Sequence, residues 1–294
     1  MKKCIFTGSG VAIVIPFTED GVDFYKLGEL IEFQIREKTD AIVICGTTGE
    51  ASTMPDDEHI SAIEYTVKKV NGRLPVIAGT GSNDTRHAIH LSKRAQEVGA
   101  DAILSVTPYY NKTTQKGLYE HFKVIAENLN IPVVLYNVPS RTNLNINPET
   151  VQQLSEIENI VAIKECNLNQ VGEIINLCGE DFTVYSGEDG LVVPLIALGG
   201  KGVISVMANV IPRDTHEIAA KMLAGDLEGG RKLQLKTIEL IKALFIEVSP
   251  IPVKEAMNQM GLGVGKCRMP LVDMSDSNRD ILIKALKNYG IIER

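Results

Sequence analysis

A lysine closes a short apolar run, Val161-Ala162-Ile163-Lys164-Glu165. Such a run reads as a buried strand whose last inward position carries an amine, and burying an amine costs free energy unless it has a task. The ordinary alternative is a lysine that turns its charge to solvent or pairs with Glu165. A second run ends in Tyr136-Asn137-Val138-Pro139-Ser140-Arg141-Thr142, which supplies a phenol and a guanidinium. A third ends in Gly46-Thr47-Thr48-Gly49-Glu50, where glycines let successive backbone N–H groups converge on an anion such as a carboxylate. The same residues also make a plain tight turn. Together these stretches offer an amine, phenols, hydroxyls, an anion pocket and a guanidinium, a set that suits imine chemistry without a metal or cofactor. Only about one free lysine in 2,500 is a neutral nucleophile at pH 7, and burial raises that fraction. A carbonyl substrate would then form a Schiff base whose nitrogen is the electron sink for an adjacent carbanion. Hydroxyls and phenols would carry protons, and Arg141 would hold a second acidic substrate.

The elements that must position these residues alternate. Strand candidates are Val11 to Ile15, Ala41 to Cys45, Pro75 to Ala78, Ala102 to Val106, Pro132 to Tyr136, Ile160 to Lys164, Thr183 to Ser186 and Gly202 to Val206. Their continuous apolarity suits strands buried on both faces, hence a parallel sheet covered by helices. Helix punctuation lies between them: Pro55-Asp56-Asp57-Glu58 opens one, Ser82-Asn83-Asp84 caps another, and Asn147-Pro148-Glu149 starts a third. Eight strand–helix units at intervals of about 20 to 35 residues fit a (β/α)8 (TIM) barrel better than an open doubly wound sheet. The barrel is expected over residues 1–224. Beyond it, Leu227 to Val248, Pro252 to Met260 and Ser277 to Tyr289 form a C-terminal helical extension over residues 225–294. In such a barrel the chemistry sits at the C-terminal ends of the strands, where the residues singled out above fall.

Composition removes other classes. The 294 residues carry a net charge of −7 and no basic stripe interleaved with aromatics, so no nucleic-acid surface is expected. No apolar run reaches the length of a membrane span, and Gly8-Ser9-Gly10 followed by Pro16 and Glu19-Asp20 breaks the early apolar stretch before any signal-peptide pattern forms. A cytoplasmic location is expected. The five cysteines are scattered and form no C-x-x-C pair, so they read as reduced, mostly buried thiols. His87 and His90 share a helix face without a neighbouring carboxylate in sequence to complete a metal set.

The motifs G-T-T-G-E (46–50), T-P-Y-Y-N (107–111), Y-N-V-P-S-R-T (136–142), A-I-K-E (162–165) and G-G-x-G-V-I-S-V (199–206) resemble, in order and spacing, those of the dihydrodipicolinate synthase family. That family lies within the pyruvate-dependent class I aldolases, which include N-acetylneuraminate lyase. The resemblance covers essentially the whole chain. It implies a (β/α)8 barrel with a C-terminal helical extension that condenses pyruvate with L-aspartate 4-semialdehyde to 4-hydroxy-tetrahydrodipicolinate, on the route to lysine and diaminopimelate. By motif position it implies that Lys164 forms the Schiff base with pyruvate and Tyr136 acts as acid and base beside it. Thr47 would link Tyr136 to Tyr110 in a proton relay, Thr48 would hold the pyruvate carboxylate, and Arg141 the carboxylate of the semialdehyde. Gly187 and Ile204 would line the pocket. Tyr110 would reach into a neighbouring subunit, making a dimer the minimal unit and a homotetramer of paired dimers the full assembly.

Another lyase of the same superfamily, cleaving N-acetylneuraminate or a 2-keto-3-deoxy sugar acid, is the nearest competing reading. The pair Tyr109-Tyr110 and Arg141 favour the synthase, because a small acidic aldehyde needs a guanidinium where a sugar needs hydroxyl partners. A barrel that only binds a keto acid as a sensor is a third reading, disfavoured by the intact lysine, tyrosine and threonine set. The resemblance also carries one departure. Lysine-inhibited relatives bind lysine in a cleft where an acidic residue holds its ammonium group; this chain has His87 there, and Asp56 where a histidine is common, while His59, Asn83 and Tyr109 match. Weak or absent lysine inhibition is therefore expected.

Overall fold

The computed structural model describes residue 2 and residues 4–293. Eight parallel strands close into a barrel: β1 (Gly8–Ala12), β2 (Ala41–Ile44), β3 (Val76–Gly79), β4 (Ala102–Val106), β5 (Val133–Asn137), β6 (Ile160–Glu165), β7 (Thr183–Ser186) and β8 (Gly202–Ser205). Each pairs with its sequence neighbours, and β1 pairs with both β2 and β8 to complete the circle. Helices return the chain between strands: α1 (Phe24–Arg36), α2 (Asp56–Val70), α3 (Thr85–Glu97), α4 (Gln115–Glu127), α5 (Pro148–Ser155), α6 (Val171–Cys178), α7 (Val192–Ala197) and α8 (Pro212–Leu223). The fold class expected from the alternating pattern is the one observed.

Local signals explain most boundaries. Asp84 caps α3 by accepting from the Arg86 backbone N–H, and α2 carries Asp56, Asp57 and Glu58 in its first turn, where the helix dipole favours acids. One expectation needs correction. The first strand is Gly8–Ala12 rather than Val11 to Ile15. Small residues that read as a loop are here required by packing, since a Cβ at Gly10 would lie 2.9 Å from the Phe6 ring. Phe6 stacks on Tyr185 with ring centroids 4.3 Å apart and belongs to the inner core of the barrel.

Inside and outside alternate along the strands that matter most. On β5, Val134 and Tyr136 belong to the inner cluster, while Val133 and Leu135 pack against the helices. On β6, Ala162 faces inward and Ile163 outward, which turns Lys164 inward and Glu165 outward. The two strands pair in register, Tyr136 with Lys164 and Asn137 with Glu165.

Four helices follow the barrel: α9 (Leu227–Lys236), α10 (Ile238–Leu244), α11 (Ile251–Gln259) and α12 (Asp276–Tyr289). The single helix expected from Leu227 to Val248 is broken at Thr237, whose hydroxyl donates to the Gln234 carbonyl at 2.7 Å and tightens the turn. The chain leaves the helix after Leu244 to run across the barrel mouth, where the Ser249 carbonyl accepts from Arg141 Nη2 at 3.1 Å. No described helix is long and apolar enough to cross a membrane.

Candidate active site

A cavity of about 290 Å³ opens at the C-terminal ends of the strands. Lys164, Tyr136, Thr47, Thr48, Arg141 and Gly187 all line it. Lys164 is 5% exposed, and its Nζ lies 4.3 Å from the centroid of the Tyr136 ring. Burial pushes the Tyr136 hydroxyl above its ordinary range, and the Lys164 charge, Arg141 and a hydrogen bond with Thr47 pull it back. Gly187 is where the amine needs room: a Cβ there would lie 2.3 Å from Cys166 Sγ and 3.2 Å from Lys164 Cε. The loop after β2 closes on itself, the Gly49 N–H donating to Gly46 at 3.1 Å and the Glu50 N–H to Thr47 at 3.1 Å. What it offers a ligand is therefore its two threonines.

Two expected residues lie elsewhere. Ile204 is fully buried in the inner core that also holds Tyr136 and is not part of the cavity wall. Tyr110 is 93% exposed, with a positive φ of 69°, and does not reach the cavity of its own chain.

Other wall residues escaped the sequence reading. Glu188 lies two residues past the end of β7, so the strand-end rule could have found it; burial raises its carboxyl, opposed by Cys166, Lys164 and Arg141. Cys166 lies two residues past Lys164, and burial pushes its thiol up to about 12, so it is a packing thiol in this wall. Phe245 and Ser249 come from the segment after α10, and nothing local in the sequence places them there.

Behind the wall, two carboxyls hold their protons above the ordinary range: Glu165 is raised to about 7 and Asp189 to about 6, both chiefly by burial. An acid whose folded pKa is raised keeps its proton where the unfolded chain has lost it, so its contribution to stability is complete below the unfolded pKa and declines as pH rises. For Glu165 the window runs from 4.5 to about 7. Denaturant unfolding at pH 4.5 and pH 8 is expected to show the stability difference between Glu165→Gln and the parent protein moving in the variant's favour by roughly 2–4 kcal/mol. A difference that is flat with pH contradicts this.

The cluster at His87 also changes on folding. His87 Nε2 lies 2.9 Å from Asp56 Oδ1, and the hydrogen bond holds the Asp56 carboxyl below its ordinary range; His90 Nε2 lies 3.9 Å from Oδ2. The carboxylate missing beside His87 in sequence is brought there by α2. Among the described residues no group of three His, Cys, Asp or Glu side chains is arranged to hold a metal.

Fold and site together define a (β/α)8-barrel enzyme with a lysine at the end of its sixth strand, inside the barrel mouth. The dihydrodipicolinate synthetase family profile matches residues 5–289, and the chain belongs to that family. It is 73% identical over 292 residues to a 4-hydroxy-tetrahydrodipicolinate synthase of Acetivibrio thermocellus, covering 99% of this chain and 100% of that one. Among solved structures, dihydrodipicolinate synthase from Aquifex aeolicus matches with a TM-score of 0.95 at 48% identity, over 98% of this chain and 100% of that one. The structure of the enzyme from Cyanidioschyzon merolae with lysine bound matches with a TM-score of 0.95 at 36% identity, over 99% of this chain and 100% of the other.

Proposed function

We propose that the cavity captures pyruvate as an imine on Lys164 and condenses it with L-aspartate 4-semialdehyde, giving 4-hydroxy-tetrahydrodipicolinate. The observation that carries this reading is the Lys164 amine held over Tyr136 in a cavity that also contains Arg141. The Nζ lone pair attacks the keto carbon and water leaves. The resulting cationic nitrogen acidifies the adjacent methyl, whose proton passes to a base; the enamine carbon bonds to the aldehyde carbon of the second substrate, whose oxygen takes up a proton. The second substrate's amino group then displaces the Lys164 amine from the imine carbon, closing the ring and freeing the enzyme. Tyr136 is the acid and base at these steps, with Thr47 beside it as the next link of a relay and Thr48 holding the keto acid's carboxylate. Arg141, braced against the Ser249 carbonyl, presents its guanidinium to the carboxylate of the aldehyde. Gly187 keeps the amine's space open, and Ile204 belongs to the inner core beneath the cavity.

Tyr110 completes the relay from a neighbouring subunit. Its near-total exposure supports this placement, so a dimer is the smallest complete unit and two dimers pair as a tetramer. The barrel comprises residues 1–224 and the helical extension residues 225–294, and the enzyme works in the cytoplasm.

Arg141 favours this substrate over a sugar acid. The purified protein is expected to consume pyruvate only when aspartate semialdehyde is present, and to cleave N-acetylneuraminate at less than about a hundredth of that rate. Faster cleavage of the sugar acid would reassign the substrate. Lysine is expected to inhibit weakly or not at all, since Asp56 is already engaged by His87. Half-inhibition by sub-millimolar lysine in a steady-state assay would contradict this.

A further inference from the structure

Directly behind the pair that faces the cavity lies a second pair. Asn137 and Glu165 are the next residues after Tyr136 and Lys164, are themselves register partners on β5 and β6, and point the opposite way. Both are buried. The Glu165 carboxylate accepts from Asn137 Nδ2 at 2.9 and 3.0 Å, from Gln170 Nε2 at 2.9 Å and from the Asn167 backbone N–H at 2.7 Å. Asn137 is fixed in turn: its Nδ2 also donates to Asn145 Oδ1 at 2.8 Å, and its Oδ1 accepts from the Ile146 backbone N–H at 3.1 Å. One carboxylate thus gathers donors from β5, from the turn after β6 and from the short helix leading into α6.

Packing alone does not call for this arrangement. Val133 and Leu135 fill the same outward face of β5 with apolar side chains, and among the described residues the donors to Glu165 are all neutral. A buried carboxylate held only by neutral donors opposes folding relative to an apolar pair, yet it fixes geometry that apolar contacts leave loose. What it fixes is the offset of β5 against β6 at the one register step where both strands present a side chain to the cavity.

We propose that Glu165, acting through Asn137, is a positioning residue that sets the placement of the Lys164 amine against Tyr136. The inference rests on the reading of Lys164 and Tyr136 as the reacting pair. Glutamine cannot replace it, because an amide offers acceptors on one side only and would set its own N–H groups against those of Asn137 or Gln170.

The test compares Glu165→Gln, Asn137→Asp and the double variant, which reverses donor and acceptor across the same two strands at unchanged net charge. Steady-state kinetics at pH 8, thermal unfolding, and the mass of the borohydride-reduced adduct with pyruvate are measured on each. Each single variant is expected to lose about 30- to 100-fold in kcat, with KM for pyruvate within about threefold of the parent, and the double variant to regain about tenfold over the weaker single. The kcat loss is expected without a matching fall in Tm. Singles within about threefold of the parent, or a double variant whose loss is the product of the two, would overturn the proposal. If either single fails to fold, Gln170→Met decides: it removes one donor and leaves the Asn137 pairing, so kcat drops about three- to tenfold, and an unchanged kcat overturns the clamp. An adduct on the parent protein with unaffected variants rejects the clamp alone, whereas no adduct on the parent rejects the imine reading and the clamp with it.

Discussion

Lys164→Ala is expected to lower turnover by on the order of 10⁴-fold or more while leaving the barrel folded. The amine is the one group in the cavity able to bond covalently to a keto carbon and then act as electron sink, and nothing else on the wall replaces it: Cys166 holds its proton up to about 12 and Tyr136 is raised by burial. The fold survives because the side chain borders a cavity and its removal takes an amine out of a buried site, a change that relieves desolvation. Thermal unfolding is therefore expected at or above the parent's Tm. Lys164→Arg separates charge from nucleophilicity, since a guanidinium keeps the cation and forms no comparable imine. It is expected to be as inactive as the alanine variant, and measurable turnover in it would show that the positive charge alone carries the reaction.

Lys254→Met is expected to destabilise the protein by about 3–5 kcal/mol, seen as a Tm lower by roughly 5–15 °C. Lys254 Nζ and Glu50 Oε1 lie 2.6 Å apart with side chains only 2% and 1% exposed. The ammonium also donates to the Lys266 carbonyl at 3.0 Å and sits 4.7 Å from the centre of the Phe17 ring. Removing the lysine leaves a buried carboxylate without its counter-ion, held by neutral donors such as the Arg268 backbone N–H at 2.7 Å and the Cys267 thiol. Glu50 closes the loop that carries Thr47 and Thr48 and stands at a positive φ of 56°, so its release also loosens the cavity wall. KM for pyruvate is expected to rise along with the loss of stability. The double variant Lys254→Met/Glu50→Gln removes both charges and is expected to recover at least half of the lost Tm. A single variant as stable as the parent would mean that the pair contributes nothing.

These two lysines mark the limit of what the chain discloses before folding. Lys164 was legible because it ends an apolar run, and strand alternation fixes which way such a residue points. Tyr136, Arg141 and the Gly46–Gly49 loop were legible for the same reason, being strand ends in a fold whose strand ends carry the chemistry. Lys254 was not. It lies inside α11 and nothing nearby announces an ion pair; only the docking of the C-terminal helices brings it to Glu50. Phe245 and Ser249 reach the cavity by that same long-range packing. Glu165 was visible as a residue but not as a clamp, because its partner Asn137 is defined by sheet register, which the sequence does not print. β1 starts before its apolar run because Gly10 answers to the Phe6 ring packed against it, a contact that no local pattern signals. Tyr110 is exposed and lies outside the cavity of its own chain, a placement that its strand-end motif does not disclose.

The central claim is that Lys164 bonds covalently to pyruvate. Reducing the protein with borohydride in the presence of pyruvate and weighing it tests that directly. The predicted result is one adduct per chain with the mass of a reduced pyruvyl group, mapped by peptide digestion to Lys164 and absent in Lys164→Ala. An unmodified mass, or an adduct that persists in Lys164→Ala, would contradict it.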